Sequence, residues 1–375
     1  MTTLNKKLLF IVNVDWFFVS HRLPIAIAAK NEGYEVHIAA FFTDKLVELK
    51  DYGFRLHKMH DIRKNNNFLN SLKYLIQIIL LLKNLSPSIV HLITIKPILF
   101  GSLALKLFPN IYRVISISGL GYVFSSSGFF SKFRRIIVIN LYKISLNNSR
   151  QTVIVQNNND LSFLKKILKI KNNGFVFIPG SGVDLNLYKP KPKENKEIVF
   201  LFASRLLVSK GIREFASAAK TLPNAKFLIA GSFDKDNPEC ISEEEMFDWT
   251  RNGSLEYLGF REDINEIINY CSVVVLPSYY GEGLPKILIE ASACGKPIIT
   301  TYNPGCKEAI EENVTGLLVK EKNINDLIFA MRKFMNDPSL IKSMGLNARI
   351  RAEKLFDIDY VVRKHLEIYT NSYKG

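Results

Sequence analysis

Twelve short apolar runs alternate with stretches of helical periodicity along the whole chain, and no other feature limits its fold so tightly. In the first half the runs are Leu8–Val14, Glu35–Ala40, Ile89–Ile93, Arg113–Ile117, Thr152–Val155 and Phe175–Ile178. In the second half they are Ile198–Ala203, Lys226–Ala230, Leu255–Leu258, Ser272–Leu276, Pro297–Thr300 and Gly316–Val319. Near-continuous runs of Val, Ile, Leu and Phe predict strands buried on both faces, which is the condition of a parallel sheet covered by helices. The predicted class is α/β, with two Rossmann-like, doubly wound domains facing a cleft. At 375 residues the chain exceeds one ordinary core, which agrees with two domains. A charged, Pro-punctuated stretch at 189–196 is the expected linker between domains 1–188 and 197–356, and a helical segment at 357–375 is expected to close the structure, packing back on the first domain.

Charge divides the halves. Residues 1–190 hold 25 Lys and Arg against 9 Asp and Glu, while residues 191–375 hold 25 against 26. A one-sided basic domain points to a polyanionic partner. No RNA-binding signature or recognition-helix pattern is present, so nucleic acid is set aside in favour of an anionic membrane surface or a phosphorylated substrate. Phe129–Ile139, with Lys132, Arg134 and Arg135 among aromatics, is the favoured membrane segment. Leu72–Leu85 reads equally as a sheet-packing or an interfacial helix.

Lys6-Lys7 before Leu8 has too short an apolar run, closed by Asp15, to be a signal peptide, and no run approaches the ~20 apolar residues of a spanning helix. The four cysteines lack CxxC spacing, which predicts a reducing compartment and no zinc site. The expected location is cytoplasmic, peripheral on the inner face of the plasma membrane.

The chemistry is densest at 276–320. Glu282 and Glu290 are separated by seven residues, the first in a Gly-bounded turn and the second in the helix that follows. Pro285 suits a first helical position, and Gly283 and Leu284 then present free N–H groups where an anion binds. That geometry fits a nucleotide sugar, with Glu290 accepting ribose hydroxyls. After the strand ending at Ala203, Arg205 and Lys210 can neutralise a diphosphate leaving group. Two solvated carboxylates and two solvent-facing cations are the plainer alternatives, outweighed by the coincidence of glycines, proline and strand ends.

In the first half, Phe17, His21 and Arg22 follow the first strand in an expected loop, where an acceptor carrying sugar and phosphate would be met. Gly119 and Gly121 end a later strand and can bring backbone N–H groups to a phosphate, although a lone GxG is weak. Gly180-Ser-Gly-Val-Asp184 is a hinge or a simple turn. Asp234-Lys-Asp236 has the spacing of a metal-binding DxD, but so does Asp357-Ile-Asp359, and neither is assigned a metal.

Taken together, Glu282-x7-Glu290, Arg205 with Lys210, Gly231 after a strand and Gly316-Leu-Leu-Val resemble retaining GT-B glycosyltransferases of family 4. Lys96-Pro97, Ser118-Gly-Leu-Gly-Tyr, Val155-Gln-Asn157, Asn237-Pro238, Trp249, Gly259-Phe-Arg-Glu-Asp and Pro304-Gly-Cys-Lys-Glu308 are similar to bacterial N-acetylgalactosaminyltransferases that extend undecaprenyl-diphosphate-linked sugars. The resemblance implies a UDP-sugar donor, with Ser204, Gly231, Gly283, Leu284 and Glu290 in its site. It implies Arg205 and Lys210 on the diphosphate, Glu282 on the donor sugar, Lys96 on the acceptor side, and no metal or other cofactor. Two positions depart from the family: the Ser118 loop stands where many members have histidine, and Gly281 and Lys286 stand where closer relatives often have arginine. The expected reaction moves an N-acetylhexosamine from UDP to a lipid-diphosphate-linked saccharide with retention. A GT-B nucleotide-sugar epimerase, a transferase with a soluble acceptor, and a non-catalytic homologue are the alternatives.

Overall fold

The computed structural model describes residues 6–372 except 63–67, 120–137, 147, 169–173, 193–196, 236, 252, 254 and 282. The chain forms two compact units, Met1–Ser181 with Asp359–Gly375, and Gly182–Ile358. The division falls before the expected linker at 189–196. Val183 donates to the Phe356 carbonyl at 2.8 Å and accepts from the Ile358 amide at 3.1 Å, so residues from 182 onward join the second unit.

The first unit is built on a seven-stranded parallel sheet, β1 Lys7–Val14, β2 Glu35–Phe41, β3 Arg55–Lys58, β4 Ile89–Ile93, β5 Tyr112–Ile117, β6 Gln151–Val155 and β7 Phe175–Phe177, in the order β3-β2-β1-β4-β5-β6-β7. Its central strands β1 and β4 are buried along nearly their whole length, as the continuous apolar runs require. The strand missing from the sequence reading is β3. Arg55-Leu-His-Lys has one apolar residue in four because it lies at the sheet edge, where charged side chains are tolerated and block further pairing.

The second unit holds β8 Val199–Ala203, β9 Lys226–Ala230, β10 Leu255–Tyr257, β11 Val273–Leu276, β12 Ile298–Thr301 and β13 Gly316–Val319, all parallel, in the order β10-β9-β8-β11-β12-β13. Strand order reverses once in each sheet, between β1 and β4 and between β8 and β11. At such a reversal the connecting helices depart to opposite faces and leave a crevice beyond the strands' carboxyl ends.

Near the C-terminus Ile358–Asn371 form a helix, whose residues from Asp359 onward belong to the first unit. It is held by a buried polar cluster. The Tyr369 hydroxyl lies 2.7 Å from His91 Nδ1, and His91 Nε2 lies 2.6 Å from Ser116 Oγ. His365 donates from Nδ1 to the Val361 carbonyl at 2.8 Å. Burial pushes the His365 imidazole down to about 3, with the Arg22 charge adding to the effect. Burial, then the neighbouring His365 and Arg22, hold His91 well below the usual histidine range.

Both rings are therefore neutral in the folded protein, whereas unfolded histidine titrates near 6.5. A depressed folded value means stability present above about pH 6.5 and lost as pH falls, because only the unfolded chain takes up the protons. From about pH 6 to pH 4 the first unit is expected to lose about 1.4 kcal/mol per pH unit through His365, whose folded value lies below that range. Urea unfolding across that range checks this, and His365→Gln should flatten the slope by one proton.

Candidate active site

The second sheet's strand reversal brings two loops together. One follows β8 (204–211) and the other follows β11 (277–285). The Tyr279 amide donates to the Ser209 carbonyl at 2.9 Å, and the Ser278 hydroxyl reaches the same carbonyl at 3.3 Å. Gly211 closes the contact. Its φ is 81°, and a Cβ there would stand 2.3 Å from the Pro277 carbonyl oxygen. Only glycine combines that left-handed backbone with so close an approach.

This lacing sets Lys210. The residue ends a short 3-10 turn, Val208–Lys210, and is 7% exposed, with its ammonium 5.1 Å from the centre of the Tyr280 ring. Such a placement suits a cation that is largely desolvated yet electrostatically supported. Lys322, from the turn after β13, lies similarly over Tyr279 at 4.6 Å, a contact that separation in sequence concealed.

Glu290 is carried by the helix Lys286–Ala293 and is 5% exposed. Lys286, one turn earlier, stands 3.2 Å from its Oε1. The Tyr188 phenol lies beside Glu290, and burial, then the charge of that carboxylate, raises it above its ordinary range. A buried carboxylate with an ammonium on one oxygen keeps part of its acceptor capacity for a ligand. The helix starts one residue later than expected. Pro285 has ψ 126° and serves as the cap rather than the first helical residue.

Tyr188 and its support were not read from the sequence. Arg349, in the helix Ser339–Leu355, donates from Nη1 to the carbonyls of Tyr188 at 2.8 Å and Ala293 at 2.7 Å. It thereby ties the segment bearing Tyr188 to the end of the helix bearing Glu290. An arginine 161 residues from Tyr188 and 56 from Ala293 has no local signature.

The remaining predicted donor residues are distributed as follows. Ser204 and Gly231 meet at the ends of β8 and β9, where a Cβ on Gly231 would stand 1.8 Å from the Ser204 carbonyl oxygen. Leu284 is buried in the second core, and Gly283 is buried beside it. Arg205 pairs with Asp234 at 2.8 Å, both about one-third exposed, so Asp234 is the partner of a site cation and not a solvated bystander. Asp236 and Glu282 lie outside the described residues.

In the first unit the expected loop is helical. Asp15–Asn31 form one helix, because the fully buried Asp15 carboxylate accepts from the amides of Trp16, Thr43 and Lys45 and from the Thr43 hydroxyl. Phe17 and His21 stack on its surface with centroids 4.1 Å apart. Arg22 departs from expectation. It is buried against the C-terminal helix, donates to the His21 carbonyl at 2.9 Å, and is pushed down to about 10 by burial, so it is unavailable to an acceptor. Lys96 follows β4 and donates to the Ile62 carbonyl, with burial lowering its pKa. Gly119 follows β5 with φ 99°, and Gly121 lies outside the described residues.

Residues 185–351 match the family described as "Glycosyl transferases group 1" and residues 7–157 match "Glycosyl transferase 4-like". The chain belongs to the GT-B glycosyltransferases. It is 31% identical, over 94% of its length and 96% of the relative's, to the N,N'-diacetylbacillosaminyl-diphospho-undecaprenol alpha-1,3-N-acetylgalactosaminyltransferase of Campylobacter jejuni. It is 26% identical, over 90% of its length and 89% of the relative's, to the UDP-Gal:alpha-D-GlcNAc-diphosphoundecaprenol alpha-1,3-galactosyltransferase of Escherichia coli. Its fold is similar to sucrose-phosphate synthase of Thermosynechococcus elongatus, with a TM-score of 0.83 at 20% identity over 98% of this chain and 99% of that one. It is also similar to Anabaena HepE in complex with UDP, with a TM-score of 0.76 at 19% identity over 97% and 100%.

The supports of this site separate by substitution. Gly211→Ala and Arg349→Ala should each destabilise the second unit by about 2 kcal/mol or more, through backbone clash and through orphaned carbonyls respectively. Arg205→Ala should cost under about 1 kcal/mol, since its pair is part-exposed. Urea unfolding of the full chain measures all three.

Proposed function

We propose that this glycosyltransferase takes a UDP-sugar, with an N-acetylhexosamine such as GalNAc as the transferred group, and adds it with retention to an undecaprenyl-diphosphate-linked saccharide. The observation that carries the reading is that buried Lys210, on the loop after β8, is laced to the loop that leads from β11 into the helix Lys286–Ala293 with its buried Glu290. A diphosphate there meets a desolvated cation and a helix N-terminus, both of which stabilise negative charge developing on a leaving group. Glu290, with Tyr188 beside it, is suited to accept two ribose hydroxyls. Glu282 is assigned to the donor sugar, and Arg205 to the diphosphate once it exchanges Asp234 for phosphate.

In this mechanism the bond from the anomeric carbon to the UDP oxygen breaks as the acceptor hydroxyl attacks from the same face. The hydroxyl proton passes to the departing phosphate oxygen, so no protein base is required. Neither a metal nor another cofactor takes part. The acceptor is assigned to the first unit, with Phe17, His21, Lys96 and Gly119 as contacts, and the names of the Campylobacter and Escherichia relatives support a lipid-diphosphate carrier. Such an acceptor places the enzyme at an anionic membrane surface on its cytoplasmic side.

Incubation of the full chain with a panel of UDP-sugars and lipid-diphosphate acceptors should yield a glycosylated lipid with unchanged anomeric configuration by NMR, undiminished by EDTA. UDP release without acceptor would instead indicate an epimerase or hydrolase. Lys210→Ala should lower kcat at least about a hundredfold, the scale of a lost transition-state donor. Tyr188→Phe should raise the donor KM about fivefold with kcat nearly unchanged, as loss of a polar neighbour of Glu290 predicts.

A further inference from the structure

Among the described residues of the first unit, the helix Phe68–Leu85 carries the largest apolar exposure on a single element. Phe68 is 79% exposed, Leu69 68%, Leu72 42%, Ile76 47% and Leu80 52%. At 100° per residue these five fall on one arc of about 120°, bordered by exposed Lys73, Gln77 and Asn84, with exposed Lys83 at its C-terminal end. The opposite side is committed. Tyr74, Ile78 and Leu82 are buried in the first unit's core, with Leu75, Ile79, Leu81 and Leu85 packed against it. With 18 residues and a mean hydropathy of 1.2, the helix has the length and composition of a membrane span. Crossing a bilayer would strip that inner side from the core, so the helix is suited to lie along a surface.

Charge identifies what covers the outer side. From residue 62 to residue 159 the chain has twelve Lys and Arg and no Asp or Glu. The helix itself carries two lysines and no acid, and the helix Ile95–Ala104 packed beside it leads to exposed Lys106 and Leu107. An apolar stripe with basic flanks fits the headgroup–acyl boundary of an anionic bilayer, whereas two such faces from two copies would bring like charges together.

We infer that Phe68–Leu85 is an in-plane membrane helix that seats the first unit on anionic lipid, with Leu72, Ile76 and Leu80 entering the acyl region. This rests on the lipid-linked acceptor proposed above and assigns the membrane contact to this helix; the alternative segment, Phe129–Ile139, lies almost wholly outside the described residues.

Flotation with phosphatidylglycerol–phosphatidylethanolamine vesicles, at low and high salt, tests it. The full chain should float. Leu72→Glu/Ile76→Glu/Leu80→Glu should reduce the bound fraction at least about tenfold while melting temperature and UDP binding stay unchanged. Lys73→Gln and Lys83→Gln should each weaken binding about fivefold on anionic vesicles and not on phosphatidylcholine. Absence of flotation at every salt, or a triple variant that floats like the parent, overturns the assignment. So does a parent dimer that the triple variant converts to monomer without any vesicle binding. A chain that floats through this helix but transfers nothing to lipid-diphosphate acceptors supports the docking face and removes the acceptor assignment instead.

Discussion

The second unit's chemistry depends on one close packing, that of Gly211 on Pro277. Parallel strands β8 and β11 end side by side, and their helices leave to opposite faces, so the two loops can close the crevice only if one backbone lies against the other. Gly211, without a Cβ and with φ 81°, permits it. The Ser209 carbonyl then receives the Tyr279 amide, and Lys210 is drawn into a buried position beside Tyr280. A cation held this way has already lost much of its hydration.

The acidic side of the crevice depends on a longer chain of contacts. Glu290 has the buried Tyr188 phenol as a neighbour, and Tyr188 is held through its carbonyl by Arg349, which also holds the end of Glu290's own helix. Three segments distant in sequence thus meet around one carboxylate. The first unit uses polar burial differently. His91, His365, Tyr369 and Ser116 form a neutral cluster that fixes the C-terminal helix, with the Arg22 cation enclosed beside it.

Strands were legible wherever burial on both faces demanded continuous apolar residues, as in β1, β4, β8 and β11. β3 was not, because an edge strand needs no such run and Arg55-Leu-His-Lys lacks one. The residues after β1 were misjudged for a related reason. The residues after Asp15 read as a loop in isolation, but they lie in the helix Asp15–Asn31, whose first residue bonds through its carboxylate to Thr43 and Lys45 beyond β2. Arg22 read as a ligand contact because its charge was visible and its burial was not.

The sequence by itself determined the α/β class, the strand–helix alternation of both halves and the glycosyltransferase family, since each is written in local runs, glycines and spacings. Tertiary structure decided which charges are available. Arg205 is engaged by Asp234, Arg22 is enclosed, Glu290 lies beside Tyr188, which Arg349 holds, and the apolar residues of Phe68–Leu85 divide between the core and an exposed stripe. Partnership and burial are properties of residues far apart along the chain. Local pattern specifies elements, and only their packing specifies what each side chain meets.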